Sequence, residues 1–218
     1  SSDLTWSDLV GVWRSSETYQ YALLVPPTAF YVLYLRRSQI VARSPSGSLV
    51  GVVAAAACGL VWLAADLVGA AEGRHLAVVL AALAVIWATL GTHAFRALLP
   101  ALSLLLFMVP TGHQLMPILR DITVTMGVLG PELLAIPTTI SGYTFSVADQ
   151  SYIVIEDCAG LGELLTTLFL GAGFGLMIYT KAWKIIALTF VAGSTAIVAN
   201  GLRVNAIVLA NHWNGTIM

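Results

Sequence analysis

Between Glu163 and Lys181, and again between Lys184 and Arg203, the chain carries no charged residue. Two such runs in succession leave a soluble fold no polar face to turn to water. In lipid, a helix satisfies all of its own backbone groups. A span needs about 20 mostly apolar residues. On that measure Leu161–Thr180 and Trp183–Leu202 follow four earlier apolar stretches: Tyr21–Leu35, interrupted by Pro26-Pro27; Leu49–Ala71, with Asp66 near its end; Leu76–Leu90; and Phe95–Val109. The expectation is an all-α polytopic membrane protein of about six transmembrane helices. The composition agrees, with 58% hydrophobic and 10% charged residues, where a soluble domain carries about 25% charged. That balance excludes a disordered chain, a nucleic-acid binder and an ordinary cytosolic enzyme. A net charge of −1 gives no reason for a polyanion partner.

The basic residues set an orientation. Arg36, Arg37 and Arg43 follow the first stretch, Arg96 lies between the third and fourth, and Lys181 and Lys184 lie between the last two. By the positive-inside rule these mark the cytoplasmic side. The eleven Asp and Glu residues fall in or near the opposite loops. Residues 1–218 are read as a single transmembrane domain with an extracytoplasmic insert at 111–157. In that insert, His113–Leu129 spaces Leu115, Ile118, Leu119, Ile122 and Met126 as an amphipathic helix ended by Gly130-Pro131. Thr138–Val147 and Ser151–Ile155, separated by Ala148-Asp149-Gln150, read as a β-hairpin that leads to Glu156-Asp157-Cys158.

Counting rise per residue places Cys158 roughly 34 Å from Lys181, and Arg203 roughly 29 Å from Lys184. A thiol and a guanidinium therefore share the outer membrane level, with Asn200 on the helix face of Arg203. Residue statistics alone read Cys158 as a small packing residue, Arg203 as a side chain reaching to headgroups and Asn200 as an interhelical hydrogen bonder. Cys58, in an alanine-rich run, reads as packing, and Gly171 with Gly175 as helix-packing grammar. The two cysteines leave one disulfide open. No C-x-x-C or Cys/His cluster is present, so neither a metal nor another cofactor is expected.

Glu156-Asp157-Cys158-Ala159-Gly160-Leu161, joined to Ala199-Asn200-Gly201-Leu202-Arg203, resembles the exosortase/archaeosortase family of membrane cysteine transpeptidases. Their motif is similar to E-x-C-[SA]-G-[IL] followed by A-N-x-x-R; here Cys158 and Arg203 are 45 positions apart. Leu24-Val25-Pro26-Pro27 followed by Arg36-Arg37 is similar to the family's early span, and Val109-Pro110 leading to Pro117 resembles its outer segment. The family often has Arg at the position of Gly162. Its third catalytic residue, His or Arg, would fall beyond Met218, and it usually has a span before Trp6 and another after that third residue. The expectation is a trimmed chain or a degenerate, inactive homologue.

The resemblance implies a thiol protease and transpeptidase of the cell (inner) membrane, with its active site on the extracytoplasmic side. It would cleave the C-terminal sorting tail of exported proteins, made of a short signature such as Pro-Glu-Pro, a transmembrane helix and a basic cluster. Cys158 would form a thioester, which a lipid or surface acceptor would resolve. Arg203 would stabilise the thiolate or oxyanion, and Asn200 would orient Arg203 or donate to the oxyanion. Glu156 and Gly160 belong to the same motif as supporting residues. No cofactor is implied. Two other readings stand beside it: a homologue that binds sorting tails without cutting them, and a small transporter.

Overall fold

The computed structural model describes residues 2–35, 37, 46–148 and 150–216. Arg36 and Arg43, two of the basic positions used above, and Asp149, in the expected hairpin turn, lie outside the described residues. The chain forms two compact units, residues 1–111 with 169–189 and residues 112–168 with 190–218.

The first unit opens with α1 (Ser2–Ser15), a 3-10 segment (Glu17–Leu24) and α2 (Val25–Leu35). It continues with α3 (Leu49–Val68) and α4 (Ala71–Leu102), which runs into a 3-10 turn at Ser103–Met108. Trp13 Nε1 donates to the Met108 carbonyl at 2.9 Å, and Tyr19 Oη to that of Thr111 at 3.1 Å. Helix α3 is capped by Ser48, whose hydroxyl accepts from Gly51 N at 3.3 Å. Its side chains are apolar and outward-facing, among them Leu49, Val53, Leu60 and Val68. Such a helix suits lipid rather than water. At its end Asp66 pairs with Arg74 of α4 at 3.0 Å.

Among the described residues, four helical stretches are long and apolar enough to cross a membrane: Leu49–Val68, Ala71–Met108, Leu161–Ile178 and Ala182–Trp213. The expected first span, Tyr21–Leu35, is not one helix. Its first residues are 3-10, and α2 has only 11 residues, roughly 16 Å of rise against a core of about 30 Å. Pro26 and Pro27 sit in the first turn of α2, where a missing N–H is tolerated, so they begin the α-helix rather than interrupt one.

The expected third and fourth spans fall within Ala71–Met108, which breaks at Gly91 with φ 82° and ψ 165°. That conformation is open essentially to glycine alone. The legs on either side pack on each other. Trp87 stacks on Phe95 with ring centroids 5.1 Å apart, and Leu83 shares a buried cluster with Leu98 and Leu102. In an unbroken helix Leu83 and Leu98 would lie about 22 Å apart.

The second unit contains a 3-10 turn (His113–Leu115), α5 (Met116–Leu133), strands β1 (Thr138–Ser141), β2 (Thr144–Val147) and β3 (Gln150–Ile153), and a 3-10 turn at Glu156–Ala159. Helices α6 (Leu161–Ile178) and α7 (Ala182–Thr216) each divide between the two units. Three of the sequence expectations change here. Helix α5 continues through Gly130-Pro131. It ends in a Schellman arrangement, with Ala135 at φ 57°, Ala135 N donating to Glu132 O and Ile136 N to Pro131 O. Its buried face is Leu119, Thr123, Val124, Gly127, Val128 and Pro131. Leu115 and Ile118, expected on that face, are exposed. The expected two-stranded hairpin is a three-stranded antiparallel meander in the order β1-β2-β3, because Gly142 at φ 60° turns the chain between Ser141 and its partner Thr144.

Strand β2 alternates inward, burying Phe145 and Val147. They form one core with Val124 and Val128 of α5, Val154 after β3, and Val208 of α7. Tyr152, Val204 and Cys158 pack against it.

Candidate functional site

The site is built within the second unit. Cys158 lies in the 3-10 turn between β3 and α6, its N–H donating to Ile155 O at 3.1 Å. Glu156 and Asp157 are exposed, while Cys158 is half-buried. Both cysteines are free thiols. Gly160 ends the turn at φ 80°, and its carbonyl accepts from Leu164 N at 3.0 Å as α6 begins. Two conditions demand glycine here. The backbone is left-handed, and a Cβ would stand 2.7 Å from both Cγ and Nδ2 of Asn200.

Asn200 comes from α7 and is 6% exposed. Its Nδ2 donates to the backbone carbonyl of Cys158 at 3.2 Å and to Thr123 Oγ1 of α5, also at 3.2 Å. Each of the two amide hydrogens thus has an acceptor. Asn200 Oδ1 is buried and without a hydrogen-bond partner among the described residues. Arg203 lies three residues further along α7, and its Nη1 meets Glu163 Oε1 at 2.8 Å. The two side chains are 50% and 44% exposed, so this is a solvated pair of modest strength.

A cleft of about 230 Å³ is lined by Glu163, Thr167, Ala196, Ala199, Asn200 and Arg203. Cys158 connects to it through its backbone bond to Asn200 rather than as a lining residue. Of the residues expected at the site, Cys158, Gly160 and Asn200 meet directly, Arg203 stands on the cleft beside Asn200, and Glu156 shares the cysteine's turn.

Three contributors are new. Glu163 holds Arg203, and Thr123 holds Asn200. Arg120 of α5 donates from Nε to the Val154 carbonyl at 2.8 Å, with its guanidinium 3.9 Å from the Tyr143 ring centroid. It therefore fixes the strand end that leads into the cysteine turn. A lone Arg on a largely apolar helix was a visible signal for Arg120. Thr123 had none. The arrangement offers a thiol at the start of a helix, where the macrodipole favours negative charge, a half-exposed guanidinium, and a cleft of small side chains beside it.

Residues 13–217 match the family model of the transmembrane exosortases. No curated relative and no solved structure matches the chain. A match over nearly its whole length makes the chain a member of the transmembrane exosortase family.

Proposed function

We propose that this chain is a membrane cysteine transpeptidase that cuts C-terminal sorting tails of exported proteins at Cys158, on the extracytoplasmic side. The tail's apolar helix runs through the bilayer and brings its signature to the cleft. The Cys158 thiolate attacks the carbonyl carbon of the scissile peptide bond. The tetrahedral intermediate collapses by expelling the tail's amine, which takes up a proton, and leaves the exported protein as a thioester on Cys158. A nucleophile from a lipid or surface component then attacks the thioester and releases the thiol. The Arg203 guanidinium stabilises the thiolate or the oxyanion.

One observation carries this reading: the Asn200 amide ties the cysteine turn to the helix face that bears Arg203. It also narrows the role of Asn200. With both amide hydrogens committed to Cys158 O and Thr123 Oγ1, Asn200 positions the turn rather than donating to an oxyanion. Arg203, on the same cleft, is the donor assigned to the oxyanion, and substrate binding must compete with Glu163 for it.

The test is cleavage of a synthetic tail carrying a Pro-Glu-Pro signature, an apolar helix and a basic cluster. Cys158→Ala and Arg203→Ala each abolish cleavage, and Cys58→Ala does not. Mass spectrometry of the trapped adduct finds it on Cys158. Retained processing by Cys158→Ala ends the nucleophile assignment. The packing of Cys158 against the Phe145 core then favours a protein that binds tails without cutting them.

A further inference from the structure

We infer that Thr123 is a positioning residue for the Cys158 turn, acting through the Asn200 amide; this rests on the reading of Cys158 as nucleophile. Thr123 is the one polar side chain on the buried face of α5, between Leu119 and Gly127. Nothing in the packing of that face asks for a hydroxyl, and valine has the same shape. Other helical threonines, such as Thr89, Thr125 and Thr195, turn their hydroxyls back to the carbonyl four residues earlier in their own helix. Thr123 instead meets a side chain 77 residues away.

The geometry gives that contact a purpose. Cys158 O can only accept, so it requires the Nδ2 edge of Asn200 to face it. That leaves the second amide hydrogen in a buried place, with Gly160 pressed against the same amide. Thr123 Oγ1 is the acceptor for this hydrogen. Remove it, and the amide rotates to find another acceptor, taking its other hydrogen away from Cys158 O. The turn Glu156–Ala159 then loses its tie to α7, and the thiol loses its fixed place at the start of α6. Thr123 never touches the substrate in this account. It acts on the cysteine by holding the residue that holds the turn.

The experiment uses the full chain in detergent, in a Cys58→Ala background, so that Cys158 is the only thiol. Two rates are read across pH: alkylation of Cys158 by iodoacetamide, and cleavage of the synthetic tail described above. Thr123→Val is expected to change the alkylation rate at least fivefold and to lower cleavage at least tenfold. Thr123→Ser keeps both within twofold of the parent. Thr123→Val added to Asn200→Ala changes neither rate further. The inference is overturned if Thr123→Val stays within twofold of the parent in both assays, if Thr123→Ser is as impaired as Thr123→Val, or if the effect persists undiminished in the Asn200→Ala chain. The two readings fail separately. Cleavage by Cys158→Ala removes the nucleophile, while the alkylation arm measures the Thr123 contact with no tail present.

Discussion

Asn200 Nδ2 donates to the carbonyl oxygen of Cys158 at 3.2 Å, across 42 residues of sequence. The bond joins the two halves of the family motif through the backbone of one and the side chain of the other. A backbone contact constrains the position of the whole turn, whatever the protonation state of the thiol.

Replacing Asn200 therefore acts on both stability and turnover. Asn200→Ala leaves the Cys158 carbonyl without this donor, and losing a buried partner costs about 1–3 kcal/mol. The expected result is a lower unfolding midpoint in detergent titration together with a loss of tail cleavage. Asn200→Asp is expected to be at least as damaging, because an ionised carboxylate offers no hydrogen to either acceptor.

Gly160→Ala meets two penalties at once. The left-handed backbone costs a side chain roughly 1–2 kcal/mol, and the new Cβ runs into Asn200. In the double variant Gly160→Ala/Asn200→Ala the two contacts at 2.7 Å, with Cγ and Nδ2, are gone and only the Cβ contact at 3.0 Å stays, so the combined loss is smaller than the sum of the two single losses. The coupling expected in a double-mutant cycle is about 0.5–3 kcal/mol. Strict additivity would show that the two residues do not press on one another.

Glu163→Gln separates the ion pair from the chemistry. Solvated pairs of this kind contribute about 0.2–1 kcal/mol, so the unfolding midpoint should barely move. Arg203, freed from its carboxylate, becomes more available to the substrate, and tail cleavage is expected to hold or rise. A collapse of cleavage with unchanged stability would mean that Glu163 itself is needed at the cleft.

Phe145→Ala empties the centre of the core against which Cys158 packs. The ring is 1% exposed and stacks on Tyr152 at 5.4 Å, and truncating such a phenylalanine costs about 3–5 kcal/mol. Alkylation of Cys158 should accelerate as the meander loosens, while alkylation of Cys58, in the other unit, keeps its rate.

Cys158, Gly160, Asn200 and Arg203 were singled out by their resemblance to a family motif; residue statistics alone read Cys158, Asn200 and Arg203 as packing, hydrogen-bonding and headgroup residues, and the structure brings Cys158, Gly160 and Asn200 into contact. Thr123 and Glu163 could not be assigned in this way. Their roles arise where α5 meets α7 and where α6 faces α7, and no periodicity in one segment reports its partner on another. The same limit explains the shift in the buried face of α5. Its apolar spacing is satisfied by more than one face, and the core around Phe145 and Val208 selects the one that includes Thr123. The third strand was hidden for a different reason: Gly142-Tyr143 is a two-residue turn inside a run of β-formers, and the run outweighed the single glycine. The long apolar stretch at Ala71–Met108 was read as two pieces with Arg96 between them, and the break falls at Gly91.

That break carries a topological consequence. A chain that doubles back at Gly91 returns Val109 toward the level of Ala71, whereas a continuous rod would carry it about 55 Å away. A single methyl group at this position, opposed by the left-handed backbone and by Ser46, would therefore test whether the parity of the fold is written in one residue.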